Sequence, residues 1–168
     1  MARRGTVIRG VVERVLRQPY FLAAPPKSCG REEFGEVFVD RFLIMCREAG
    51  ATDADVVATA TALAAESILD AYRRFVLKHL KRQVAKDVEY VVAGGGAWNA
   101  TLMAMLREGL EPMGVKVRTM DDLGVPAQAK EGMAFALLAW QTWSGLPGNV
   151  PSATGARRPV VLGKVTHG

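Results

Sequence analysis

An apolar, β-type run that ends in three consecutive glycines constrains this chain more than any other stretch. It reads Val91-Val92-Ala93-Gly94-Gly95-Gly96-Ala97-Trp98-Asn99, and an amphipathic helical pattern follows at once. Glycine has no Cβ, so a ligand can approach the backbone closely there. A helix starting at that point aims free N–H groups and a partial positive charge at the same spot. Strand, glycine turn and helix N-terminus together predict a phosphate-sized anion site, and hence nucleotide binding, at Gly94, Gly95, Gly96 and Asn99. Asn99 stands where the dinucleotide fingerprint needs its last glycine, so this is not that fingerprint. Without a ligand the glycines would form a tight strand–helix turn. Asn99 could equally bond local backbone donors.

The surrounding pattern is helices first, then strand–helix–strand–helix. Residues 6–18 carry Val7, Ile8, Val11, Val12, Val15 and Leu16 at helical spacing. Pro19 and Pro25-Pro26 stop regular structure. A polar loop from Pro26 to Glu32 leads into a helix that runs to about Glu48 and carries Phe34, Val37, Phe38, Phe42 and Leu43. Thr52 or Asp53 can cap the next helix, with Asp55 completing a capping box if Thr52 is the cap. That helix is alanine-rich and extends from Val56 to Leu80. Val88–Ala93 and Val115–Met120 read as strands, Trp98–Leu110 as the helix between them, and Glu131–Trp143 as a strongly apolar helix. A short strand-like stretch, 160–163, lies near the end. Two parallel strands are too few for a stable buried sheet, so the pattern points to part of a larger α/β fold.

Composition narrows the class. The chain has 168 residues, enough for one domain or one lobe of a larger protein, and its apolar share of 49% suffices for a core. The net charge of +5 comes largely from Arg3, Arg4, Arg9, Arg14 and Arg17, and from Arg73, Arg74, Lys78, Lys81, Arg82 and Lys86. No aromatic interleaving accompanies either cluster, so neither points to nucleic acid, and the second suits a helix C-terminus. Cys29 and Cys46 make no paired-thiol motif, and His79 and His167 no zinc spacing. No apolar stretch reaches a membrane span or a secretory signal, which predicts a cytoplasmic protein with no membrane partner.

Several stretches then fall in order: Pro26-Lys27-Ser28-x-Gly30-Arg31-Glu32-x-Phe34, Gly94-Gly95-Gly96-x-x-Asn99, Glu131-x-Met133-Ala134-Phe135-Ala136, Leu146-Pro147-Gly148-Asn149-x-Pro151-Ser152-x-Thr154-Gly155-Ala156, and Leu162-Gly163. On these motifs the chain resembles the C-terminal lobe of the anhydro-N-acetylmuramic acid kinase family over nearly its whole length. The resemblance implies a ribonuclease-H-like α/β lobe with added helices, of the actin, hexokinase and heat-shock ATPase superfamily. Residues 1–168 would be the nucleotide-side lobe, incomplete relative to the family. It implies use of ATP, Mg²⁺ and water to open the ring of 1,6-anhydro-N-acetylmuramic acid and phosphorylate O6, in cell-wall sugar recycling. It also implies that Glu131 contacts the sugar. The family's phosphate-gripping Gly-Thr-Ser loop and its Asp-x-Gly-Pro-Gly-Asn motif, which carries the general base, do not occur in this chain. No catalytic residue is therefore assigned here. The expectation is half an enzyme, inactive alone, needing an N-terminal lobe partner or a second copy.

Other readings remain open from the residues. A first-turn glutamate such as Glu131 also compensates a helix dipole without touching substrate. Lys27, Ser28 and Arg31 can hold phosphate, or Ser28 can merely cap the following helix. Asp121 and Asp122 more simply make a turn than a Mg²⁺ site, so no metal ligand is assigned. Met103, Met105, Met113 and Met133, with Trp98, Trp140 and Trp143, read as core or lobe-interface residues. A non-catalytic nucleotide-binding or interaction module derived from the kinase is the alternative. A small Rossmann-type enzyme is a further one, with Asp121 near the position of a ribose-binding acid.

Overall fold

A computed structural model describes residues 1–79 and 88–166. Two apolar clusters share one helix. The first joins α1 (Arg9–Leu16), α4 (Glu36–Glu48) and α5 (Asp53–Ala71) through Val11, Val12, Val15, Phe42, Cys46, Ala62 and Leu63. The second sets α5 against α6 (Ala100–Leu110), β1 (Glu89–Val92) and β2 (Lys116–Thr119), through Leu69, Tyr72, Met103, Leu106, Leu110, Val115 and Val117. Small residues explain why α5 can serve both: Ala58, Ala62 and Ala65 are buried along it. Close approach on the α6 side uses Gly109, where an added Cβ would fall 2.4 Å from a methyl of Leu69.

β1 and β2 pair in parallel, with Glu89 opposite Lys116 and Val92 opposite Thr119. They flank α6 in sequence, which is the expected strand–helix–strand unit. Tyr90, Val92 and Val117 pack into the second cluster. Glu89 and Arg118 alternate onto the other face and form an ion pair at 3.0 Å.

The start of α5 is the capping box that the Thr52–Asp55 spacing predicts. The Asp55 carboxylate accepts the Thr52 hydroxyl at 2.7 Å, the Thr52 N–H at 2.9 Å and the Thr6 N–H at 2.6 Å. These bonds, the Thr52 hydroxyl foremost, hold the Asp55 pKa below its ordinary value. A depressed folded-state pKa contributes stability above the unfolded value of about 3.9, and that contribution is lost as pH falls through the folded pKa. Asp55→Asn is expected to lower stability at pH 7 and to flatten the acid limb below about pH 4. Urea denaturation at pH 7 and pH 3 checks this, and equal acid sensitivity in variant and parent would contradict it.

Several expectations need correction. Pro19 opens a further turn, α2 (Pro19–Leu22), and the predicted helix to Glu48 is broken: a single turn, α3 (Arg31–Phe34), ends at Gly35 before α4 begins. A Cβ at Gly35 would lie 2.2 Å from the Arg31 carbonyl oxygen, so the junction between α3 and α4 needs glycine. Ser28 caps nothing, because Gly30 occupies the N-cap of α3 without a side-chain bond. The α5 pattern changes at Ala71 into a wide turn, Tyr72–Val76, and a tight one, Leu77–His79. Leu80, Lys81, Arg82, Lys86 and His167 lie outside the described residues. Residues 160–163 form no strand. Of the residues read as core or lobe interface, Met103 is buried and Met105 and Met113 are half-buried against the second cluster, whereas Trp98, Met133, Trp140 and Trp143 are exposed, which leaves only the interface reading for those four.

Candidate functional site

β1 leaves the sheet at Val92, and the chain turns at Gly94, whose φ of +73° is a conformation that side-chain-bearing residues rarely adopt. The Gly94 N–H donates to the Ala127 carbonyl at 2.7 Å. A tight turn, Gly95–Trp98, follows, and only then α6. The expectation of a helix directly behind the glycines is therefore corrected by one intervening turn. Asn99 sits at the α6 N-cap, and its side-chain oxygen accepts the Leu102 N–H at 3.1 Å. Asn99 thus meets a local backbone donor, the plainer of its two expected roles; the amide nitrogen takes no part in that bond.

The three glycines differ in kind. Gly94 is required by its backbone conformation. Gly95 and Gly96 have ordinary φ, and a Cβ on Gly95 would meet nothing within 4 Å. On Gly96 it would touch only a Leu102 methyl, at an ordinary 3.5 Å. The fold gives no reason for glycine at these two positions, while the space beside them is open. Their N–H groups open the turn, before any acceptor within it.

Parallel pairing puts the carboxyl ends of β1 and β2 side by side, the position where open α/β sheets bind ligands. The glycine turn leaves one end. The other leads through a turn at Asp121–Leu123 to Ala127–Ala129 and then to α7 (Lys130–Trp143). The Gly94–Ala127 bond ties these two exits together, so Glu131, in the first turn of α7, follows closely on the residue that holds the glycine turn. Glu131 is exposed and, among the described residues, makes no ion pair.

Asp121 and Asp122 serve the turn, as expected. The Asp122 carboxylate accepts the Thr119 N–H at 2.7 Å, which holds its pKa below the ordinary value, and Asp121 accepts the Ala127 N–H at 3.4 Å. Among the described residues no three His, Cys, Asp or Glu side chains converge as a metal site would need.

Asn99 also reaches a feature that sequence reasoning missed. It lines an apolar groove of about 730 Å³ with Tyr20, Phe34, Phe38 and residues of α5. Edge-to-face contacts run from Tyr20 to Phe34 and from Phe34 to Phe38, each at 5.0 Å. The signal was present in the spacing of Phe34, Phe38 and Phe42, which reads equally as buried core. Lys27 braces Tyr20, one residue of this wall. Its Nζ donates to the Tyr20 carbonyl at 2.9 Å and lies 4.7 Å from the centre of the Tyr20 ring, so it tethers the loop. Arg74 does the same from the wide turn after α5, donating to the Phe21 and Leu22 carbonyls at 3.0 and 2.8 Å and pairing with Asp70.

The family model for anhydro-N-acetylmuramic acid kinase matches residues 1–168. Curated relatives of that name include one from Bacillus cereus (strain G9842), 39% identical, with the match covering 99% of this chain and 42% of the relative. One from Caldanaerobacter subterraneus subsp. tengcongensis is 38% identical over 99% of this chain and 40% of its own length. A third, from Synechococcus sp. (strain WH7803), is 44% identical over 97% of this chain and 40% of its own length. The chain thus spans about two fifths of these relatives. By its match from end to end, the chain belongs to the anhydro-N-acetylmuramic acid kinase family.

Proposed function

We propose that residues 1–168 form the nucleotide-side lobe of an ATP-dependent sugar kinase, with a ribonuclease-H-like architecture. The substrate is 1,6-anhydro-N-acetylmuramic acid, and the setting is cytoplasmic recycling of peptidoglycan. The observation that carries this reading is the open backbone at Gly95 and Gly96, placed at the shared carboxyl end of two parallel strands. Phosphate oxygens fit there because they can reach N–H donors with no Cβ in the way. ATP, when bound, supplies the phosphoryl group for O6. In the family reaction water adds at C1, the C1–O6 bond breaks, and O6 takes that group.

The chain's own part is to hold and orient. Gly95 and Gly96 donate to phosphate, Gly94 sets the turn, and Asn99 fixes the start of α6 beside the nucleotide. Glu131 bonds sugar hydroxyls and faces the positive charge that develops at C1. Positioning and charge neutralisation of this kind account for most of the catalysis in phosphoryl transfer. The base that activates water belongs to the family's other lobe. Mg²⁺, when bound with ATP, would be held by phosphate oxygens, water and at most one or two carboxylates and would neutralise phosphate charge; no residue of this lobe is assigned to it.

The test is a kinase assay with ATP and the anhydro sugar. The purified chain alone is expected to give no turnover, and the chain combined with the remaining portion of a relative is expected to give it. Turnover by the chain alone would contradict the division of labour. The alternative, a non-catalytic interaction module, draws on the exposed apolar helix α7. A thermal-shift assay in which neither ATP nor sugar moves the melting temperature would favour it.

A further inference from the structure

Consecutive glycines give the backbone its greatest conformational freedom, so a site built on them needs something else to set their path before a ligand arrives. Gly94 has φ +73° and ψ −167°, a combination essentially confined to glycine and kept only where neighbouring structure imposes it. Among the described residues, one hydrogen bond ties the three glycines to another part of the chain: the Gly94 N–H to the Ala127 carbonyl. Whatever fixes Ala127 therefore fixes the turn. Ala127 is buried, and its own N–H donates to the Asp121 carboxylate. Behind it, residues 120–125 close on themselves. The Leu123 and Val125 N–H groups both donate to the Met120 carbonyl, at 3.0 and 3.1 Å, and the Met120 N–H reaches the Val92 carbonyl of β1 at 3.0 Å. Arg118 grips this loop from the sheet. One guanidinium nitrogen donates to both carboxylate oxygens of Glu89, at 3.0 and 3.2 Å, and the other donates to the Asp122 carbonyl at 2.7 Å. The planar fork serves carboxylate and carbonyl together, which a lysine could not do.

We propose that Arg118 is a positioning residue for the nucleotide: through the Asp121–Leu123 turn and Ala127 it holds the glycine turn in the open form that receives phosphate. The proposal rests on the nucleotide reading above and adds what sets the geometry of that site. The line of contacts runs from the Arg118 guanidinium to the Asp122 carbonyl, from the adjoining Asp121 carboxylate to the Ala127 N–H, and from the Ala127 carbonyl to the Gly94 N–H. Arg118 acts through this backbone and is assigned no contact with ATP. The ion pair with Glu89 is a lesser part of the device, since both side chains are about a third exposed or slightly less and pairs of that kind contribute little. The bond to the Asp122 carbonyl matters more, because it comes from a charged donor and restrains the residue beside Asp121. A turn held in its binding form loses less freedom when phosphate arrives, and that saving appears as affinity.

Three variants separate the links. Arg118→Met removes both guanidinium bonds, Glu89→Gln removes the ion pair and leaves the donation to Asp122, and Asp121→Ala removes the acceptor of the Ala127 N–H. Hydrogen exchange without nucleotide compares the Gly94 amide with those of Leu106 and Leu110, which report the α6 core. Arg118→Met and Asp121→Ala should each speed Gly94 exchange by about tenfold relative to the α6 amides. Glu89→Gln should change that ratio by no more than about twofold. A merely stabilising Arg118 would speed both sets of amides by one common factor. Titration of ATP, followed through the same amides, should show binding about fivefold weaker for Arg118→Met and within about twofold of the parent for Glu89→Gln. The proposal is overturned by an unchanged ratio of Gly94 to α6 exchange in Arg118→Met, or by a Glu89→Gln variant that reproduces the whole effect. Glycine amides of the parent that stay unmoved by ATP would overturn the nucleotide reading, and the proposal with it. Binding at the glycines that is equally tight in parent and Arg118→Met would overturn the proposal alone.

Discussion

Gly95→Leu should weaken ATP binding by about tenfold or more, equivalent to about 1.4 kcal/mol, while the protein folds as before. The argument comes from the contrast among the three glycines. Gly94 carries a positive φ, so its replacement would strain the backbone whether or not a ligand binds. Gly95 has no such constraint, and nothing lies within 4 Å of where its Cβ would sit. A leucine there projects into unoccupied space, and its effect on stability should stay within about 0.5 kcal/mol. On the proposed reading phosphate takes that space when ATP binds, so the side chain would have to compete with it. Calorimetric titration of ATP against parent and variant, each assembled with the second lobe, reads the affinity, and urea denaturation reads the stability. Equal affinities would show that phosphate does not use the Gly95 surface.

Leu106→Ala should lower the unfolding free energy by about 2–5 kcal/mol. Leu106 is fully buried on α6, in the cluster that joins α5 and α6 to both strands. Truncation removes the transfer free energy of its methyl groups and leaves a cavity that Leu110 and Val115 can fill only in part. Single domains are stable by about 5–15 kcal/mol in total, so the loss is a large share. The same cluster holds the strand ends from which the glycine turn leaves. The variant should therefore bind ATP more weakly at temperatures near its lowered midpoint and normally well below it. A change in the denaturant midpoint corresponding to less than about 1 kcal/mol would mean that the α6–sheet core is not packed as described.

What was legible in the sequence was local. The Thr52–Asp55 spacing defines its capping box because both partners lie within one turn, and the box forms. The strands around α6 and the turn at Asp121-Asp122 were readable for the same reason. Gly35 was passed over because helical periodicity continues across it, while its need for glycine comes from the closeness of the Arg31 carbonyl, invisible to a pattern of apolar residues. Lys27 read as a phosphate contact or part of a capping loop, and Arg74 as one of a basic cluster at a helix C-terminus, since their carbonyl partners on the Tyr20–Leu22 turn meet them only once the chain is folded. Asn149 stood in the most specific motif of the chain, yet its bonds to residues 158 and 160 depend on a tail path that no periodicity encodes. Apolar spacing also predicted α7 correctly as a helix, but it reports which face wants burial and not what is there to bury it.

Titration of ATP into the isotopically labelled chain, followed through its backbone amide resonances, tests the central claim most directly. Weak binding suffices for this measurement, and it reports position as well as affinity. The account predicts that the largest shifts fall on Gly94, Gly95, Gly96 and the first turn of α6, with smaller ones near Ala127 and Glu131. Shifts confined to other parts of the surface, with the glycine amides unmoved at saturating ATP, would contradict it.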